Sequence, residues 1–120
     1  MEHLKLGAVE ARFADIVWEH APLTSGQLVK LCQQELNWKK STTYTVLKKL
    51  CERGIFANNG GTVTPLMTRD EFYGKQSEAF VEESFRGSLP AFIAAFTKQR
   101  KLTDKEVAEI RSMIDSMGVV

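Results

Sequence analysis

From Leu6 to His20 apolar residues recur at helical spacing, with Leu6, Val9, Phe13, Ile16 and Val17 on one side and Glu10, Arg12, Asp15 and Glu19 on the other. This predicts a first helix ending near His20-Ala21-Pro22, because proline disfavours helical geometry in the residue before it. Thr24-Ser25-Gly26-Gln27 has the form of a capping box, in which the threonine oxygen accepts an amide three residues on and the glutamine reaches back. A second helix is expected from there to Leu36. The link Asn37-Trp38-Lys39-Lys40 leads to a third helix, Ser41 to Arg53, which Gly54 ends as a left-handed cap. Beyond it, Ile55-Phe56-Ala57 and Thr62-Val63-Thr64 flank Asn58-Asn59-Gly60-Gly61, whose residues tolerate the positive φ of a hairpin turn. A small two-stranded wing is expected.

The rest of the chain returns to the helical period. Thr68-Arg69-Asp70-Glu71 opens a helix to about Ser84, with Phe72, Ala79 and Phe80 on one face, and Arg86-Gly87-Ser88 breaks it. Ser88 caps a shorter helix that admits Pro90 in its first turn and carries the stripe Leu89, Phe92, Ile93 and Phe96. Thr103-Asp104-Lys105-Glu106 starts the last, striped by Val107, Ile110, Met113, Ile114 and Met117. The predicted class is mostly α with a small β-hairpin wing: a winged helix-turn-helix over residues 1–67, then a three-helix dimerisation lobe over residues 68–120.

Composition narrows the function. At 120 residues, 43% hydrophobic and 26% charged, the chain is the size of one ordinary globular domain, or of a small domain with an appended association element, which excludes a large multi-domain enzyme. No apolar run is long enough for a membrane span, and Met1-Glu2-His3-Leu4-Lys5 lacks the layout of a signal peptide, so a cytoplasmic location without membrane contact is expected. The net charge of +1 conceals an uneven distribution: residues 30–53 carry six basic and two acidic side chains, whereas residues 1–29 carry two and four. A basic island on a near-neutral chain is a usable footprint for phosphate, although such surfaces also occur without a nucleic-acid role.

The island coincides with the third helix. On a helical wheel Thr43, Val46, Leu47, Leu50, Cys51 and Gly54 gather on one side, leaving Ser41, Thr42, Thr45, Lys48, Lys49 and Glu52 on the other and Tyr44 at the border. Short hydroxylated side chains allow close approach to a major groove, hydroxyls and threonine methyls can read base edges, and lysines neutralise phosphates. An ordinary solvated lysine-rich helix face fits the wheel equally well.

The order of Trp18, Pro22-Leu23-Thr24, Trp38, the helix Thr42-Thr43-Tyr44-Thr45-Val46-Leu47-Lys48-Lys49-Leu50 with Gly54, and Pro65 resembles the family of penicillinase, methicillin-resistance and copper-responsive repressors. Phe85-Arg86-Gly87-Ser88-Leu89 and Leu102-Thr103-Asp104-Lys105-Glu106 are similar to the junctions between that family's dimerisation helices, so the resemblance spans nearly the whole chain. It implies a homodimer that inserts its third helix into the major groove of a pseudo-palindromic DNA operator. On matching positions Thr42 and Thr45 are the implied base readers, Lys49 a further DNA contact, and Lys39, Lys40 and Lys48 the phosphate contacts, with Ser41 and Tyr44 as looser members of the set. It also implies a sensor protease or other inactivating partner.

Departures from the family pattern matter as much. The wing is short, and its tip, Asn58-Asn59-Gly60-Gly61, carries no cation, so more of the affinity is expected to fall on the third helix. The Asn-Phe bond cleaved in penicillinase-type members aligns with Ala95-Phe96, without the asparagine. The C-terminal cysteine cluster of copper-responsive members has no counterpart, so copper sensing of that type is not expected.

No Ser-His-Asp or Cys-His constellation, phosphate-cradling glycine loop or paired carboxylates stand out, so neither catalysis nor a cofactor is expected. His3 and His20 are too isolated to form a metal site. Cys32 and Cys51 are expected as buried thiols, and Trp18 and Trp38 as core residues. Phe72, Phe80, Phe85, Phe92 and Phe96 crowd one short stretch. A two-fold interface would bury them, with Leu89, Ile93, Val107, Ile110 and Ile114 completing the surface; a compact six-helix monomer is the competing arrangement. The competing function is a winged-helix protein-interaction module without DNA contact, which the uncharged wing favours slightly.

Overall fold

Local hydrogen bonds set the helix starts. The computed structural model describes residues 5–117, so His3 lies outside the described residues. Helix α1, Ala8–His20, begins where the Gly7 amide donates to Glu10 Oε1 at 3.0 Å, and it therefore starts after Leu6. In α2, Ser25–Leu36, both halves of the expected capping box form: the Gln27 amide donates to Thr24 Oγ1 and the Thr24 amide to Gln27 Oε1. Helix α3 spans Lys40–Glu52 and takes in one residue of the expected link. Its end forms a Schellman motif: the Gly54 amide donates to the Cys51 carbonyl, the Ile55 amide to that of Leu50, and Gly54 has φ +78°. Nothing lies within 4 Å of a Cβ built on Gly54, so Gly54→Ala meets only the backbone penalty of a left-handed alanine. We expect it to lower unfolding stability by about 1 kcal/mol, read from a denaturant titration.

The wing holds one strand more than the sequence suggests. Strands β2, Phe56–Asn59, and β3, Thr62–Pro65, form the expected hairpin, turning through Gly60 and Gly61 at φ +61° and +90°. The two residues before α2, Leu23–Thr24, form β1 and pair antiparallel with β3, giving the order β1-β3-β2. Two residues are too few to show an alternating pattern, so β1 is visible only through its partner.

The chain forms two compact units, Met1–Ala79 and Phe80–Val120. The core of the first joins Phe13 and Val17 of α1, Leu28 and Cys32 of α2, Leu47 and Leu50 of α3, and Ile55, Phe56 and Val63 of the wing region. Trp18 packs against it and donates from Nε1 to the Met67 carbonyl, and Trp38 stacks on Phe13. Val9, expected on the apolar stripe, is exposed: it stands in the first turn of α1, a turn ahead of Phe13, the first buried residue of that helix. Phe72 corrects a second expectation. It sits in the first turn of α4, Arg69–Phe85, is fully buried beside Trp18 and Tyr73, and so is unavailable to a dimer surface.

The second unit contains the end of α4 with α5, Leu89–Gln99, and α6, Asp104–Met117. Ser88 Oγ accepts the Ala91 amide, Pro90 occupies the first turn of α5, and the Thr103–Glu106 box starts α6. Arg100 grips both Glu106 oxygens at 3.0 Å, and with the Thr103 amide it pulls that carboxyl down to about 2. The rings of Phe80, Phe85, Phe92 and Phe96 pack edge to face or tilted around one another. Yet no described side chain of this unit is buried.

Candidate nucleic-acid interface

Thr43, Leu47 and Leu50 anchor α3 to the first unit and turn Ser41, Thr42, Thr45, Lys48 and Glu52 outward. Its N-terminus breaks a local rule. Asp and Glu favour the first turn of a helix, where the backbone dipole is positive, and cations disfavour it. Here Lys39 is the N-cap and Lys40 the first helical residue, with no acid in the first turn and no side-chain cap. Among the described helices α3 alone begins with neither a capping side chain nor an acidic first turn. An anion at this point would meet free backbone amides and two ammonium groups together.

Side-chain bonds refine the roles of the exposed face. Thr45 Oγ1 donates to the Ser41 carbonyl at 2.9 Å, so toward a ligand it presents an accepting oxygen and a methyl group. Tyr44 stands at the wing-side border. Its hydroxyl donates to Ser25 Oγ at 3.2 Å, and the Ser25 amide donates to the Gly61 carbonyl at 2.8 Å, linking α3, α2 and the wing tip. Asn58 Oδ1 accepts the Gly61 amide and stiffens the same turn. Lys48, with Tyr44, Cys51 and Asn58, lines the groove between α3 and β2.

Lys49 lies on the opposite border. Its ammonium is 2.9 Å from Glu10 Oε2 of α1, and that bond, with the Gly7 amide, holds the Glu10 carboxyl below its usual range despite partial burial. Among the described residues, no ion pair or hydrogen bond occupies the outward groups of six of the eight candidate DNA contacts, Lys39, Lys40, Ser41, Thr42, Thr45 and Lys48. Ser25 and Glu10 were not legible as members of this surface: each is an ordinary helix-start residue in sequence, and only the fold brings it to α3.

The two thiols offer no competing chemistry. Cys32 is buried and Cys51 half-buried, and burial pushes both thiols up, away from the reactive thiolate. Among the described residues no group of His, Cys, Asp or Glu is placed to hold a metal ion, and no helix is long and apolar enough to cross a membrane.

A surface of the opposite character covers the second unit. Phe80, Leu89, Ile93, Phe96, Ile110 and Ile114 are exposed, as are Met113 and Met117, while Phe92 and Val107 are half-buried. The Ala95–Phe96 bond lies inside α5, in helical backbone that a protease would have to unwind before cutting.

This pairing of a basic, hydroxylated helix with an apolar helical unit agrees with a comparison against known families. Residues 6–116 match the family model described as penicillinase repressor. The chain belongs to the penicillinase repressor family. Members of the penicillinase repressor family are DNA-binding transcriptional repressors, a family of regulators and not of enzymes. No curated protein matches the chain. Membership accounts for the winged helix and for the six helices and three-stranded antiparallel sheet of the described residues.

Proposed function

We propose that this penicillinase repressor family member is a homodimer that occupies a pseudo-palindromic operator, placing α3 of each subunit in a major groove and blocking transcription in the cytoplasm. The observation that carries the reading is the start of α3, where Lys39 and Lys40 sit at an uncapped, acid-free helix N-terminus. That arrangement is unfavourable alone and favourable against phosphate.

Each side chain then has a part. Lys39, Lys40 and Lys48 neutralise phosphates and set the register of the helix on the duplex. Thr42 and Thr45 approach base edges; Thr45, its hydroxyl hydrogen directed to Ser41, accepts from an adenine or cytosine amino group or packs its methyl on thymine. Ser41 lies beside them at the backbone. Tyr44 acts at one remove, holding the wing tip through Ser25 and Gly61. The exposed apolar residues of the second unit pair with those of a second copy, since a helical unit with no buried side chain among its described residues has little core of its own.

Footprinting on the protein's own promoter tests this reading. The expected result is protection of two symmetry-related half-sites, with guanine N7 methylation in the major groove blocking binding. A promoter without any protected stretch contradicts it. The uncharged wing tip favours one other reading, a winged helix that docks a protein, and that reading predicts no footprint at all.

A further inference from the structure

Lys49 and Glu10 stand out because a cation on the DNA-facing helix is already partnered inside the protein. Glu10 is held at both oxygens: Oε1 accepts the Gly7 amide at 3.0 Å, and Oε2 lies 2.9 Å from Lys49 Nζ. Arg53 adds a second cation 3.9 Å from Oε1, while donating from Nη1 to the Lys5 carbonyl at 2.9 Å. The carboxylate is largely covered, at 19% side-chain exposure, whereas Lys49 keeps 52%. A phosphate approaching Lys49 therefore meets an ammonium whose charge is already balanced, with a fixed carboxylate directly behind it. Like charges repel, and an ammonium shared with a carboxylate releases fewer counterions when it nears DNA.

We propose that Glu10 withholds Lys49 from the DNA backbone and so sets the strength, though not the sequence preference, of operator binding. The inference rests on the DNA-binding reading above and adds to it a residue of α1 that has no contact with DNA itself. Because phosphate contacts carry no sequence information, the restraint lowers affinity for every duplex alike. Glu10 is thus a positioning residue that acts through Lys49.

The test is a double-mutant cycle on the full chain: Glu10→Gln, Lys49→Ala and both together, each titrated against a promoter duplex and a scrambled duplex across a salt series. Glutamine keeps an oxygen to accept the Gly7 amide, so helix α1 keeps its start and only the partly exposed ion pairs with Lys49 and Arg53 are lost. Thermal unfolding by circular dichroism verifies that each variant is folded. Glu10→Gln is expected to tighten binding to both duplexes by roughly tenfold at low salt, with a log-log salt slope steeper by about one per subunit. Lys49→Ala alone is expected to leave the wild-type slope unchanged, and in the Glu10→Gln background to abolish the gain. Unchanged or weakened binding by folded Glu10→Gln overturns the inference, as does a shallower slope for Lys49→Ala alone, which would show Lys49 already on the DNA. Wild-type protein that binds neither duplex sinks the DNA-binding reading itself, and this inference with it.

Discussion

Changing Ile93→Asp and Ile114→Asp together is expected to convert a dimer into a monomer that keeps its fold, read by sedimentation equilibrium beside circular dichroism. Both residues are exposed in the single chain, at 40% and 58%, so aspartate costs little of the packing within it. In the proposed dimer the roughly half of each isoleucine that the single chain leaves exposed is covered, which stabilises association by about 1 kcal/mol per side chain. Two positions doubled by symmetry make roughly 4 kcal/mol, and burying four carboxylates at the seam costs several more, enough to dissociate an interface of ordinary strength. Operator binding should then fall at least about 100-fold, since one subunit grips only one half-site. Wild-type mass in the double variant would place the interface elsewhere. Phe92→Asp is a less selective probe, because Phe92 is half-buried among Phe80, Phe85 and Phe96 and its loss disturbs the unit itself.

The second large effect separates reading from gripping. Thr42→Ala with Thr45→Ala is expected to weaken promoter binding about 100-fold while leaving scrambled DNA and the salt slope unchanged, because each lost base contact is worth about 1–3 kcal/mol and phosphate contacts are untouched. Lys39→Ala with Lys40→Ala should do the reverse. Promoter and scramble weaken together, and the slope becomes shallower by about 0.9 per lysine per subunit. A fluorescence-anisotropy titration of both duplexes distinguishes the two classes. If the threonine pair weakened both duplexes equally, α3 would be gripping backbone and not reading bases.

Much of this architecture was legible in the chain, for identifiable reasons. Thr24 with Gln27, Thr68 with Glu71 and Thr103 with Glu106 each formed both capping bonds, since a capping box is specified by residues three apart. Gly54, Gly60 and Gly61 took the positive φ that their places in a cap and a hairpin demand. What escaped depends on partners distant in sequence. Strand β1 exists because Leu23–Thr24 pairs with Thr62 and Val63. Phe72 fits an interface stripe by periodicity, yet the Trp18 and Tyr73 rings claim it for the first core. Lys49 looked like a free cation on the wheel, but the wheel of α3 holds no information about Glu10 of α1. The odd start of α3 escaped as well, because Lys39 and Lys40 read as a link before Ser41; only the structure places the two lysines where an acid or a cap belongs, and local rules broken in this way are expected at functional sites.

In the proposed complex α3 grips operator DNA with Lys39, Lys40 and Lys48. That grip is read from the affinity of wild-type protein for its own promoter fragment and for a scrambled duplex across a salt series. Lys39, Lys40 and Lys48 from two subunits make about six phosphate contacts, which predicts a log-log slope near about −5 and promoter binding at least about 1,000-fold tighter than the scramble. Equal, weak and nearly salt-independent binding of both duplexes would contradict the account and point to a protein partner for the winged helix.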